Sequence, residues 1–381
     1  MSFNSTSASA LTRIAKVSLS SIAVSPKTTW RHIVLTASDG TVGVGEYTLD
    51  GAVGSSGPPP GLDDLALTMA TRLLQSPVAE HSLFLLGPLP LESITHSTVY
   101  SACSQALVSL CAERVNASVA EYLDVGPTKS VISLYANINR RTDVRTPDAC
   151  ALSAQVAIKA GFSAIKIAPF DGLTPTACDT PSGRALIETG LARIAAIREA
   201  VGPSIDIMID CHWRFTETAI LSLLGQLEAL GVIWLECPIP ETWDFISSLK
   251  HLRHATNVRG MRLCGLETSI GVEGYEPFLS AGTYDLVMPD IKHAGGYRAI
   301  WDIARQAQRH GVAISLHNPS GPIAHAASLQ LSSVLPGTER LEIQFDESPL
   351  FWTTTDPPPP AIGATTQVPT APGLGVQLRI G

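Results

Sequence analysis

From residue 130 to residue 344 short apolar runs alternate with longer segments whose apolar residues recur at helical spacing. The apolar runs are 130–136, 164–168, 205–209, 232–235, 262–265, 286–288, 312–315 and 341–344. Between them, helical periodicity covers 147–160, 183–201, 218–230, 242–252, 272–281, 296–310 and 322–335, and several of these end on a glycine: Gly161, Gly202, Gly231, Gly311. Such an alternation predicts a parallel sheet built from strand–helix units. Eight strands within about 215 residues favour a closed barrel over an open, doubly wound sheet. Neither a GxGxxG nor a GxxxxGK[ST] phosphate loop occurs, which weakens an open nucleotide-binding sheet further.

The flanks have a different rhythm. Residues 11–50 read as antiparallel strands, with Ser38-Asp39-Gly40 as a turn and VGVGE at 42–46 as the return strand. A Gly/Pro/Ser loop at 51–61 and helices at 65–74, 98–111 and 118–123 follow. Ser118 and Glu121 have the spacing of a capping box. The expected organisation is an α+β domain over 1–128 and a (β/α)8 TIM-like barrel over 129–345. A Pro/Thr/Gly-rich segment, 346–381, ends in a strand-like run that returns to the first domain.

Composition narrows the function. The chain has 381 residues, 45 % hydrophobic and 16 % charged, with a net charge of −8. That balance disfavours nucleic acid and anionic membranes as partners, and no run reaches the ~18 apolar residues of a membrane span. The seven cysteines form no CxxC pair, so free buried thiols in a reducing compartment are expected, and the protein reads as cytoplasmic. The Ser/Thr-rich, acid-free N-terminus has some character of a targeting signal, but a frayed end before a first strand is the simpler reading. Zinc held by Cys211, Cys237 or Cys264 is disfavoured, because each lies beside or near an acid better suited to a hard cation.

The chemistry sits at the strand ends. The second strand carries Lys166. The third to sixth end in Asp210, Glu236, Glu267 and Asp290, the seventh in His317, and the eighth carries Glu342. From Asp210 onward the spacings are 26, 31, 23, 27 and 25 residues, about one strand–helix unit each, so these groups are expected around one barrel mouth. A single acid after a strand is usually a helix cap or a solvated loop residue. A whole ring of them would repel unless a cation neutralised it. Three carboxylates from successive strands suit Mg²⁺, and nothing in the residues excludes Mn²⁺. His317 with Asp290 at the neighbouring strand end makes an oriented base. His212, two residues beyond Asp210, would enter the same mouth from the other side if the strand register continued.

At these residues the chain resembles the enolase superfamily, mandelate racemase-like branch. The resemblance implies an α+β capping domain over a modified (β/α)-barrel, and abstraction of a proton α to a carboxylate with Mg²⁺ stabilising the enediolate. It implies Asp210, Glu236 and Glu267 as metal ligands, an Asp290–His317 dyad, and Glu342 as a donor to the enediolate oxygen. It also implies a homo-oligomer. MPDIKHAGG, HNPSGPIAHAASLQL and LEIQ are similar to sugar-acid dehydratases of the D-galactonate dehydratase type, as is Asp210-Cys211-His212-Trp213-Arg214, where Trp213 replaces the usual glycine. In that group the histidine at the position of His212 protonates the leaving hydroxyl. Where mandelate racemase has a second strand-two lysine this chain has Ala168, which argues against simple racemisation. The muconate-lactonising branch, with a lysine at the end of strand six, fits poorly because Asp290 stands there and Lys292 lies two residues on.

The expected reaction is therefore dehydration of a small-molecule sugar acid to a 2-keto-3-deoxy acid. Epimerisation or lactone cycloisomerisation through the same enediolate is the alternative. Trp30, Asn137, Arg214 and Lys292 are the expected substrate contacts. The 25–30 segment and the 51–61 loop are the expected lid.

Overall fold

The computed structural model describes residues 12–49, 57–126 and 128–379. Residues 51–56 of the expected lid loop, the first eleven residues and Ile380 lie outside the described residues.

A three-stranded antiparallel sheet opens the chain: β1 (Ile14–Ser25), β2 (Thr28–Ala37) and β3 (Val42–Glu46). Helices α1 (Leu62–Thr71), α2 (Ile94–Arg114) and α3 (Val119–Leu123) follow. The capping box at α3 forms as its sequence predicts, with Ser118 and Glu121 satisfying each other's backbone N–H. The VGVGE run has a packing reason. A Cβ on Gly43 or Gly45 would come within 2.2 Å of the Ala106 carbonyl oxygen or 2.0 Å of that of Ala102. Only glycine lets α2 lie directly on β3.

The barrel strands are β4 (Val131–Asn137), β5 (Ala164–Ile167), β6 (Asp206–Asp210), β7 (Val232–Glu236), β8 (Arg262–Gly265), β9 (Leu286–Val287), β10 (Ala313–Ile314) and β11 (Leu341–Gln344). The intervening helices are α4 (Pro147–Lys159), α5 (Pro181–Val201), α6 (Glu217–Ala229), α7 (Ile246–Asn257), α8 (Gly271–Ala281), α9 (Gly296–Arg309) and α10 (Pro322–Val334). Neighbouring barrel strands are parallel in chain order, and β11 pairs β4. The seam between β10 and β11 is closed by a single bridge, Ile314 to Thr338, and by Ser315 Oγ donating to the Arg340 carbonyl (2.6 Å). α7 runs past the expected end at Leu252, because Thr256 continues the buried face of Leu249 and Leu252.

Period-two alternation explains how the mouth is built. Ile207 and Ile209 of β6 face the helices, while Met208 faces the barrel interior with Tyr135, Ala164, Trp234, Cys264, Leu286 and Met288. Two residues beyond these interior side chains stand Asn137, Lys166, Asp210, Glu236 and Asp290. The apolar plug thus forms the floor of a charged site.

Glu46, the last residue of β3, joins the two layers. Its carboxylate accepts from the backbone N–H of Gly321 (2.9 Å) and Ala324 (3.0 Å), capping α10 from across the interface. A second seam runs from α2 to the loop after β9: Ser97 donates to the His293 carbonyl (2.6 Å), Gln105 to that of Ile291 (3.2 Å). After the barrel, β12 (Thr355–Asp356) pairs with β14 (Gln377–Leu378), and β13 (Thr365–Gln367) runs antiparallel to β4. Gly373 then exchanges backbone hydrogen bonds with Ala117 and Val119 beside α3. No helix among the described residues is long and apolar enough to cross a membrane.

Candidate active site

A cavity of about 440 Å³ opens at the wrong end of the barrel for chemistry, among strand starts such as Val131, Asp206 and Arg262. Its charges are already paired, Arg262 with Glu339 (2.7 Å) and Arg340 with Asp206 (2.6 Å). The charged ring lies at the opposite end, where each strand hands over to its following loop.

Lys166 is the hub of that ring. Its Nζ is 2.8 Å from both Glu236 oxygens and 3.0 Å from Glu342 Oε1, and it lies over the Tyr135 ring. Burial alone would lower its pKa, but Glu236 and Glu342 outweigh that and hold it well above the ordinary lysine value. Glu342 also accepts from Asn137 Nδ2 (2.6 Å) and from the backbone N–H of Asn318 (3.0 Å). Burial pushes its pKa up, yet Lys166 and His317, with these donors, bring it below the usual value. Glu342 is expected to donate to the enediolate oxygen; its partners here, Lys166, Asn137 and the Asn318 N–H, are donors, which favours its ionised form. Asn137 serves Glu342 rather than standing free for substrate.

Asp290 is buried and holds His317: Nδ1 of the histidine lies 2.9 Å from Asp290 Oδ2. Burial would raise the Asp290 pKa, but Lys292, His293 and His317 drive it far below the usual carboxylate range. Lys292, expected at the substrate, instead ion-pairs with Asp290 (3.1 Å). His293 hydrogen-bonds Thr98 of α2 (2.9 Å), and burial brings its pKa down to about 3. The other His317 nitrogen, Nε2, is 3.3 Å from Glu267 Oε2.

Two overlapping clusters have ligand atoms within 4.8 Å of one another: Asp210, Glu236 and Cys237, and Glu236, Glu267 and His317. Glu236 Oε2 and Glu267 Oε2 are buried and accept no well-formed hydrogen bond, although Lys166 and His317 stand beside them. Burial pushes Glu236 up to about 8, and burial with the Asp210 and Glu236 charges pushes Glu267 well above its ordinary value. Orphaned, mutually repelling carboxylate oxygens are what a hard divalent cation satisfies, so Asp210, Glu236 and Glu267 fit one. Burial raises the Cys237 thiol well above 9, and its Sγ lies 3.7 Å from both oxygens of Glu241, so it does not compete as a thiolate. All seven cysteines are buried and free.

The raised carboxylates set a pH dependence. Glu236, at about 8 in the fold against an ordinary 4.5, makes the folded chain bind more protons than the unfolded chain through that window, and Glu267 acts in the same sense. Asp210, Asp290 and Glu342 have lowered values, so their stabilising contribution is lost only at acid pH. Buried neutral His32, His293 and His325, brought down to about 3, 3 and 4, work in the opposite sense below the ordinary histidine value of 6.5, so in a chelator thermal stability should fall as pH rises from about 7 to about 8, and added Mg²⁺ should remove the decline. Calorimetric unfolding at both ends of the window checks this.

His212 departs from the expected register. Its φ is +47° and that of Trp213 is +55°, so the extended run stops at Cys211. Its Nε2 packs 2.6 Å from Asp210 Oδ2. Burial would raise Asp210, but His212 and Lys166 hold it far below the usual range. His212 is nonetheless 37 % exposed, the most open of the ring's ionisable groups. Arg214 points away to Asp171 (3.5 Å), which Arg145 and Arg193 also bind. Trp30 is buried, edge-on to Phe351 (6.3 Å), with its Nε1 unpartnered. With Ser320, Gln344, Glu347 and Trp352 it borders a cavity of about 10 Å³, room for about one water. Residues 25–30 thus form a hairpin whose far side is anchored on the barrel.

Two buried carboxylates that tie separate segments together escaped the sequence reading: Glu46, hidden in a strand, and Glu241, which the ECPIPE run offered as just another loop acid.

Comparison with known proteins agrees with this architecture. Residues 149–380 match the "Enolase C-terminal domain-like" family. The chain is 29 % identical over 295 residues to a D-gluconate dehydratase of Thermoproteus tenax, covering 75 % of this chain and 56 % of the relative. It is 31 % identical over 202 residues to a D-galactarolactone cycloisomerase of Agrobacterium fabrum, covering 51 % and 52 %. The chain thus spans little more than half the length of these relatives. The solved structure of a mandelate racemase/muconate lactonizing enzyme from Jannaschia sp. CCS1 superposes with a TM-score of 0.82 at 21 % identity, over 96 % of this chain and 95 % of the other, which speaks for the fold. With the greater part of its length matched, the chain belongs to the enolase C-terminal domain-like family.

Proposed function

We propose that the protein is an acid-sugar dehydratase, which removes the proton α to a substrate carboxylate and expels the 3-hydroxyl to give a 2-keto-3-deoxy acid. The observation that carries the reading is His317, held through Nδ1 by Asp290 with Nε2 turned to the orphaned Glu267 oxygen. That arrangement supports a base, oriented through Nδ1, beside the carboxylate cluster. Mg²⁺, or Mn²⁺, held by Asp210, Glu236 and Glu267 would supply the positive charge that eases a second negative charge onto the substrate carboxylate.

The remaining roles belong to the chain's own side chains. His317 Nε2 accepts the C2 proton. Lys166 stays charged and adds a fixed cation where negative charge develops, while Glu342 holds Lys166 in place. His212, open at the mouth, gives a proton to the departing 3-hydroxyl. The enol left behind takes up a proton at C3 as it becomes the ketone. The D-gluconate dehydratase named above supports this class of reaction.

One observation favours a second reading, lactone cycloisomerisation or epimerisation: the likeness to a D-galactarolactone cycloisomerase. Of these, epimerisation needs a proton donor on the second face of C2. Ala168 offers none; it is buried, its N–H donating to Asn139 (2.7 Å) and its carbonyl accepting from Arg145. Incubation of the Mg²⁺-loaded protein with mono- and diacid sugars, read by semicarbazide trapping of 2-keto acids, tests the proposal. Semicarbazones are expected from at least one sugar acid. Epimer or rearranged lactone without 2-keto acid would replace the proposal with the second reading.

A further inference from the structure

We propose that Glu241 is a positioning residue, a carboxylate outside the charged ring that sets the three loops on which Asp210, Glu236 and Glu267 are mounted. The proposal rests on the reading that those three hold a divalent cation. Glu241 lies in the loop after β7, and its carboxylate gathers donors from four segments. Oε2 accepts from Trp213 Nε1 (2.8 Å). Oε1 accepts from the backbone N–H of Leu266 (2.8 Å) and from Tyr284 Oη (2.7 Å). Cys237 Sγ is 3.7 Å from both oxygens.

The partners are not scattered. Trp213 follows Asp210 by three residues, Cys237 is next to Glu236, and Leu266 is next to Glu267. All three have φ in the left-handed region, +55°, +44° and +69°, which a side chain other than glycine adopts only when something holds it there. Each lies in the turn beside a ligand, Trp213 directly after the left-handed His212. Glu241 touches each of these strained residues and none of the ligand carboxylates, so it acts through the backbone. Nor is it a helix cap, since three of its partners, Trp213, Leu266 and Tyr284, lie outside its own loop. The fold also reserves its space: a Cβ on Gly265 would stand 2.0 Å from Glu241 Oε1, although the backbone there is an ordinary strand that alanine can adopt. Released from Glu241, the three turns are free to relax and the ligand oxygens to diverge. Outer groups that orient metal ligands typically contribute about 10–100-fold in metal affinity.

The test titrates Mn²⁺ into metal-free wild type, Glu241→Gln, Gly265→Ala and Tyr284→Phe by calorimetry. Electron paramagnetic resonance follows the bound ion, and urea unfolding establishes that each protein is folded. Wild type should bind. Glu241→Gln and Gly265→Ala should weaken binding by about 10–100-fold with an altered Mn²⁺ spectrum, and Tyr284→Phe, which loses one of the bonds, should weaken it less. Folded variants with wild-type affinity and spectrum would overturn the positioning role while leaving the ligand reading intact. A wild type that takes up no Mn²⁺ would overturn the ligand reading and this proposal with it. Should Glu241→Gln fail to fold, Gly265→Ala and Tyr284→Phe decide: weakened binding supports the role, wild-type binding overturns it.

Discussion

His317→Asn should lower kcat by about 10³-fold or more while leaving the folded protein and its metal affinity nearly unchanged. The asparagine can keep a hydrogen bond to Asp290, so the loop after β10 keeps its anchor, but no group remains to accept a proton. Exchange of the substrate C2 hydrogen with solvent should vanish with turnover. A structural histidine would behave otherwise: its loss would shift the unfolding midpoint and leave turnover per folded molecule alone. Steady-state kinetics beside urea unfolding separates the two. Asp290→Asn should follow the same direction with added cost to folding, since Lys292 and His293 also face that carboxylate.

Lys166→Met carries the second large effect, and here stability and activity fall together. Lys166 is 1 % exposed and stands between Glu236 and Glu342, which are as buried. Removing one partner of a buried ion network leaves uncompensated charge and costs about 3–5 kcal/mol. The loss should be greatest in a chelator at neutral pH and shrink at lower pH, as Glu342, left ionised without Lys166, takes up a proton. Added Mg²⁺ should restore part of the stability but little of the turnover. Urea unfolding with and without Mg²⁺ measures the first effect, and 2-keto acid release the second.

Much of this site was legible because a strand writes its geometry into alternate residues. Met208 and Asp210, Trp234 and Glu236, Ala164 and Lys166 share a face simply by being two apart, so an apolar floor and a charged rim can be read together. Backbone turns are not written that way. His212 carries the type and position of a strand-end group, yet positive φ at His212 and Trp213 ends the extended register and sets His212 on Asp210. Long side chains were equally opaque: Lys292 and Arg214 look free in sequence, and the fold commits them to Asp290 and Asp171. Glu241 and Glu46 are the deeper case. Their partners are largely backbone N–H groups and side chains on distant segments, which no local pattern announces. The barrel's closure was foreseeable from its strand count, while the single bridge that closes it between β10 and β11 was not.

The central claim is that one ring of side chains removes a proton α to a carboxylate and expels the neighbouring hydroxyl. It is tested most directly by running the Mg²⁺-loaded protein on a panel of sugar acids in D₂O and reading the products by NMR. The account predicts a 2-keto-3-deoxy acid carrying deuterium at C3, formed by wild type and not by His317→Asn. Deuterium incorporated at C2 of an otherwise intact or epimerised acid, with no 2-keto product, would contradict it.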